Sequence, residues 1–314
     1  MDDPAGDSRY HEPVLGGQVM DLLALRAGGL YLDGTVGGGG HARLLLERCS
    51  GCRILAVDRD AEALAHARRV LRPYGSRIRF LCARFDRAVE DAEVMERGLE
   101  GALLDLGVSS RQLDSDRRGF SFRPGTALDM RMGPSEGGAT AAELLSEADE
   151  GELTRIFREL GEEPRARSLA REVVRRRSAT PFRTSDDLVA ALAAALGRAP
   201  YRREKARVFQ ALRIEVNREL EALASGLDGL RDALLPGGVL AVISYHSLED
   251  RSVKYAFRDW SQNCVCPPDF PVCRCRGRAL GETLTRRAVR PGPDELERNP
   301  RAGSARLRAW RKAA

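Results

Sequence analysis

Through the first hundred residues, short apolar runs alternate with amphipathic stretches of helix length: GLYLD, HARLLLERC, RILAVD, AEALAHARRVL, RIRFLCA and GALLDLGV. That rhythm predicts parallel strands joined by crossover helices, an α/β doubly wound, Rossmann-like sheet. After Val108 the pattern breaks. The stretch from Ser109 to about Gly138 is too long to be an idle connection, and the Phe, Met and Leu scattered in it predict packing. From Thr140 to about Leu234 the periodicity is helical, with Thr140 and Thr184 as N-caps and Asp186 and Asp187 in the first turn after the second. A strand returns at PGGVLAVISYHS. The pattern therefore predicts an all-α domain inserted between two strands of one sheet, with boundaries at 1–115, 116–213 and 214–314.

Composition changes this picture little. A chain of 314 residues with 43% apolar content can bury a full core. The net charge is +5, but from Arg276 to Ala314 eleven Lys and Arg face four Asp and Glu, leaving the rest slightly acidic. A solvated, partly disordered tail and a strip that tracks phosphates are both open readings of that segment. The start, MDDPAGDSRYHEPVL, has neither a basic region nor an apolar one, and no run approaches the roughly 18–20 residues of a membrane span. The expectation is a soluble, cytoplasmic protein without a membrane partner. Seven cysteines, odd in number and unevenly spaced, argue against a secreted disulfide framework.

Four consecutive glycines, Gly37 to Gly40, lie between the first strand and a helix. Glycine in a regular element costs about 0.5–1 kcal/mol relative to alanine, so such a run implies a loop whose backbone approaches something closely. Gly37, Gly39 and Ala42 satisfy G-x-G-x-x-A, and Asp58 ends the next strand where a carboxylate can accept from ribose hydroxyls. An adenosine-containing cofactor follows. Asp33 at the end of the first strand would repel a pyrophosphate but suits a cationic methionine moiety. With Asp105 ending the fourth strand and PGG before the fifth, it favours S-adenosylmethionine over a nicotinamide.

The segments HEPVL (His11 to Leu15), DGTVGGGGH (Asp33 to His41), AVDRD (Ala56 to Asp60), LLDLGVSSRQLD (Leu103 to Asp114), RGFSFR (Arg118 to Arg123), LDMRM (Leu128 to Met132), RVFQALRIEVNREL (Arg207 to Leu220), ISYHSLEDR (Ile243 to Arg251) and NPRAGSARLRA (Asn299 to Ala309) span nearly the whole chain. Together they resemble the bacterial ribosomal RNA small subunit methyltransferase H family. The resemblance implies methyl transfer from S-adenosylmethionine to N4 of a cytidine in the decoding centre of 16S rRNA, with the small ribosomal subunit as partner and a homodimer left open. It also implies cofactor contacts at Gly39, Gly40, His41, Asp58, Phe85, Asp105 and Gln112. The chain departs from the family at Arg203-Glu204-Lys205-Ala206-Arg207, where His-Pro-Ala-Thr-Arg is usual, and at DGTVGGGGHA, where an aromatic follows DGT.

An exocyclic cytosine amine is a weak nucleophile whose proton must leave as the methyl arrives. Asp105 is the expected positioning group, with the hydroxyls of Ser109 and Ser110 nearby and His246 at the pocket mouth; a histidine satisfied by neighbouring backbone is the other reading of His246. Phe120, Phe122, Tyr245 and Trp260 are candidate stackers for an extruded base, or plain core. In the helical insertion, Arg165, Arg167, Arg171, Arg175, Arg176 and Arg177 can engage phosphates or pair with neighbouring glutamates. Cys264, Cys266, Cys273 and Cys275 place four thiols within twelve residues, compatible with a tetrahedral zinc or with free or redox-active thiols. Cys49, Cys52 and Cys82 read as packing. The rivals to an RNA cytosine methyltransferase are a nicotinamide oxidoreductase, a methyltransferase for another RNA, and a non-catalytic ribosome-assembly factor that keeps the scaffold.

Overall fold

The computed structural model describes residues 13–266, 274–275 and 277–314. Its apolar runs become strands buried on both faces: β1 (Leu30–Asp33), β2 (Arg53–Asp58), β3 (Ile78–Cys82), β4 (Leu99–Asp105) and β5 (Leu234–Ser244), followed by β6 (Gly281–Thr283) and β7 (Arg306–Lys312). The sheet order is β3-β2-β1-β4-β5-β7-β6, the first five strands parallel and β7 antiparallel to both its neighbours. Alternate residues serve opposite cores: Tyr31, Ile54 and Leu103 join one, Leu32, Leu55 and Leu104 the other. Double-sided burial is why these strands read as continuous apolar runs. β1 sits between β2 and β4, which makes the carboxyl ends of β1 and β4 the switch point where open α/β sheets bind ligands.

The chain divides into two compact units. One runs up to Gly107 and resumes at Glu221–Ala314; the other is Val108–Leu220. The joints thus lie at 107/108 and 220/221, against the 115/116 and 213/214 expected from pattern, because the segments on either side of the helical stretch pack with it. In the helical unit the loop after Val108 contributes Phe120, Leu128, Met130 and Met132 to a core shared with the helices Ala166–Arg177, Ser185–Leu196 and Arg202–Asn217. Asn217 holds that loop by main chain: its Nδ2 donates to Met130 O (2.7 Å) and its Oδ1 accepts from Met132 N (2.7 Å). Thr140 and Thr184 cap their helices as expected, each in a capping box.

Two sequence readings are corrected here. The basic C-terminal segment is not a disordered tail across residues 306–312: β7 lies inside the sheet, with Trp310 fully buried. Arg306 and Arg308 both pair with Asp250 (3.1 and 2.7 Å), and Arg311 pairs with Glu282. Secondly, Cys49 and Cys52 are joined by a disulfide rather than merely packed, since the tight turn from the helix Gly40–Arg48 into β2 brings their Cα atoms to 5.4 Å; Cys82 is exposed at the end of β3. No helix among the described residues is long and apolar enough to cross a membrane.

Candidate active site

The glycine loop is shaped by backbone that side chains resist. Gly39 precedes the helix Gly40–Arg48 with φ +86°, and a Cβ there would also press on Leu71 at 3.0 Å. A Cβ on Gly37, at φ +49°, would meet only Thr35 O at 3.8 Å, so the loop's outer side is open to close approach. Asp58 braces the loop from β2: its Oδ2 accepts from Gly37 N (2.9 Å) and its Oδ1 from Asp60 N (2.9 Å). Burial pushes the Asp58 carboxyl up to about 6 despite those two bonds.

Around it stand the other strand-end carboxylates. Asp33 is buried; Oδ1 accepts from Thr35 N (3.3 Å), while Oδ2 has no hydrogen-bond partner among the described residues. Burial pushes this carboxyl up to about 6 as well, opposed chiefly by the nearby His41. Thr35 Oγ1 accepts from Asp105 N (2.6 Å), tying the loop to the end of β4. The Asp105 carboxylate is held on one side by the Tyr245 hydroxyl, which donates to Oδ1 at 2.8 Å, and faces His41 Nε2 from Oδ2 at 3.5 Å. Burial, reinforced by Asp105, lifts the Tyr245 phenol far above its ordinary range, so it remains a donor. His41 is buried, and neither ring nitrogen makes a hydrogen bond among the described residues.

Buried polar groups without partners are uncommon and call for an explanation. Here they converge: Asp33 Oδ2 and both His41 nitrogens flank a glycine loop at the carboxyl edge of β1 and β4. A polar ligand with a cationic group beside a ribose fits this donor and acceptor set, with Asp33 for the cation and Asp58 for hydroxyls; an anionic pyrophosphate would face three carboxylates.

The remaining predicted residues are placed as follows. His246 caps the helix Ser247–Trp260, its Nδ1 accepting from Glu249 N (3.4 Å) and its Nε2 lying 3.1 Å from Glu249 Oε1. Glu249 also accepts from Tyr245 N (2.9 Å), so the pair fixes the strand end that carries Tyr245. Phe85 follows β3 and packs against Gly226. Ser109 and Gln112 belong to the helical unit, where each bonds the other's backbone in a capping box. Trp260 is core, between Phe257 and Trp310. Phe120 and Phe122 instead line a cavity of about 210 Å³ in the helical unit with Phe209 and Arg213, and Lys205 Nζ stands 5.9 Å from the Phe122 ring.

Of the helical arginines, Arg175 and Arg176 clasp Glu172, and Arg177 donates to the carbonyls of Leu145 and Ala148. The departing segment is structural in part: Glu204 caps its helix through Tyr201 N and binds Arg198, while Arg207 pairs with Glu163. The Sγ atoms of Cys264, Cys266 and Cys275 lie within 4.8 Å of one another; Cys273, like His11 and Glu12, lies outside the described residues. Sequence reasoning missed Thr35, Glu249 and the pairing of Tyr245 with Asp105. The first two carried local signals, an acceptor inside the DGT turn and a capping-box spacing from His246 to Glu249; the third bridges residues 140 apart.

The model of the MraW methylase family matches residues 8–313. The chain is 51% identical over 306 residues to the ribosomal RNA small subunit methyltransferase H of Gemmatimonas aurantiaca, covering 97% of this chain and 96% of that protein. It is 47% identical over 312 residues to the protein of the same name from Heliobacterium modesticaldum, covering 96% and 98%. Among solved structures it is similar to an rRNA methylase from Streptococcus thermophilus (TM-score 0.42, 11% identity, 95% of each chain) and to the N-methyltransferase NodS of Bradyrhizobium japonicum (TM-score 0.41, 8% identity, 95% of this chain and 94% of that one).

Proposed function

The chain belongs to the MraW methylase family, and from that premise we propose that it transfers the methyl group of S-adenosylmethionine to N4 of a cytidine in the decoding centre of 16S rRNA. The observation that carries this reading is the Asp105 carboxylate, aimed by Tyr245 at 2.8 Å at the carboxyl end of β4.

The cofactor supplies an electrophilic methyl on a sulfonium. The protein's task is to hold an amine in line with it and take up the amine's hydrogens. Asp105 suits that task as an acceptor: the phenol fixes Oδ1, and Oδ2, which faces His41 Nε2 at 3.5 Å, would receive an N4–H. With the cofactor bound, methyl transfer to the amine would leave a surplus proton on the nitrogen, which Asp105 would pass toward solvent. Orientation is the main contribution, since positioning alone supplies up to roughly 7–11 kcal/mol in favourable cases, whereas an ordinary aspartate is a weak base. Asp33 complements the methionine ammonium, Asp58 the ribose hydroxyls, and Gly37 to Gly40 admit the cofactor closely.

The helical unit is read as the RNA-recognition part. Its aromatic-lined cavity, with Lys205 beside Phe122, offers stacking faces and a cation to an unpaired nucleotide, while Arg213 in its lining is held by Glu219. The internally paired Arg175, Arg176 and Arg177 are poor candidates for phosphate contacts. The test is methyl transfer from labelled S-adenosylmethionine to small subunits lacking the modification, with digestion to nucleosides and mass spectrometry. N4-methylcytidine that vanishes with Asp105→Asn supports the reading; a methyl on another atom or base, or no transfer despite measurable cofactor binding, overturns it.

A further inference from the structure

Between the helix Ser247–Trp260 and β6 the chain carries sulfur chemistry that methyl transfer does not use. The Cys264, Cys266 and Cys275 Sγ atoms all lie within 4.8 Å of one another, those of Cys264 and Cys275 at 3.8 Å. Two thiolates bound to one zinc at about 2.3 Å with a tetrahedral angle stand about 3.8 Å apart, whereas disulfide sulfurs stand about 2.0 Å apart. The Val265 backbone N–H donates to Cys275 Sγ at 3.4 Å, fixing that sulfur beside the chain that carries Cys264 and Cys266. Asn263 Oδ1 accepts from Ala279 N at 3.1 Å, closing the base of the loop just outside the sulfur cluster. Arg274 and Arg278 flank the last cysteine and offset the negative charge that several thiolates would gather.

We propose that Cys264, Cys266 and Cys275 bind a structural zinc ion as thiolates. Soft sulfur donors select zinc over magnesium or calcium. Binding releases the thiol protons and involves no change of oxidation state. The ion would tie Cys264 and Cys266, which follow the helix Ser247–Trp260, to Cys275, which precedes β6. The contribution is to local order, because metal binding to a site the unfolded chain lacks is itself folding free energy.

The experiment is elemental analysis of the full chain, purified without a histidine tag, under reductant, from zinc-supplemented cells. About one zinc per chain is expected, falling below about a tenth in Cys264→Ser and in Cys275→Ser. Less than about a tenth of an equivalent in the wild type, or zinc retained in the Cys264→Ser/Cys275→Ser double variant, overturns the proposal. Should either variant fold poorly, cobalt titration of chelator-stripped wild type gives an independent reading. Intense sulfur-to-cobalt charge-transfer bands with tetrahedral ligand-field bands support the site, and their intensity counts three or four thiolates. Weak octahedral bands, or a Cys264–Cys275 disulfide in the freshly purified protein, rule it out.

Discussion

In the sheet unit Asp33, buried, and Asp58, half-buried, bond no arginine or lysine among the described residues and are pushed up to about 6; in the helical unit Glu172 and Glu204 are clasped by arginines and held at about 2. Glu172 and Glu204 sit in closed sets, each answered by guanidinium groups of the same unit. At the strand ends the set is open: Asp33 Oδ2 and the His41 ring have no hydrogen-bond partner among the described residues. A closed set steadies a fold, whereas an open one leaves interaction free energy to be realised by a ligand. Strongly raised carboxyls in a cleft are accordingly a pointer to function, and equally shifted ion pairs on a surface are not.

The hardest blow to the open set is Asp105→Asn, which keeps the shape and removes the charge. It should lower turnover by about a hundredfold or more in single-turnover methyl transfer, with the melting temperature nearly unchanged; full turnover with undiminished cofactor affinity would end the assignment of Asp105. Tyr245→Phe removes only the donor that aims Asp105. Hydrogen bonds to charged groups contribute about 1.5–3 kcal/mol, so kcat should fall roughly tenfold to a hundredfold, while the cofactor Kd stays put. A fall in affinity alone would make Tyr245 a binding residue instead.

Acid separates the two regions more gently. With its carboxyl at about 6 in the free protein, Asp33 loses its charge as pH drops, so S-adenosylmethionine should bind about tenfold more weakly at pH 5 than at pH 7. In Asp33→Asn, binding is weaker throughout and this pH step is gone; calorimetric titration at the two pH values checks both. Stability runs the other way. Because the folded-state value lies above the unfolded 3.8, the folded protein holds the proton longer, and stability falls as pH rises from about 4 to about 6. Asp33→Asn should therefore raise the melting temperature at pH 7, relieving up to about 3 kcal/mol of strain, and leave it unchanged near pH 4. Glu172, depressed from 4.5 to about 2, contributes stability that is complete above 4.5 and lost as pH falls through about 2. Being near the surface, it should cost under about 1 kcal/mol on Glu172→Gln, the smallest of these effects, read from denaturant midpoints at neutral pH.

Legibility in the sequence followed the same division between local and distant contacts. β1 to β5, the glycine loop, Asp58 and Asp105 announce themselves by apolar runs and strand-end position. β7 was hidden because RLRAWRK reads as a charge run. Its period-two alternation sends Leu307 and Ala309 to one core, while Arg306, Arg308 and Trp310 take the other face, where Asp250 receives both guanidinium groups and Trp260 meets Trp310 edge-on at 5.1 Å. The Tyr245 to Asp105 bond could not be read from either residue's neighbours. His246 was visible as a polar group after a strand, but its task as a cap depended on Glu249 three positions later.

The order of the strands in the sheet also sets a schedule for making the protein. β4 and β5 lie side by side, yet about 130 residues separate Asp105 from Leu234. A ribosome adding about 5–20 residues per second leaves the apolar edge of β4 waiting on the order of ten seconds for its neighbour. In that interval the helical unit, rich in contacts close along the chain, can fold on its own. β7 emerges last and must pair on both sides, between β5 and β6. Translation that pauses before β5 thus leaves half a sheet with an open edge, the state most exposed to mispairing with another chain. The insertion that divides the sheet unit makes the pace of synthesis part of the folding problem.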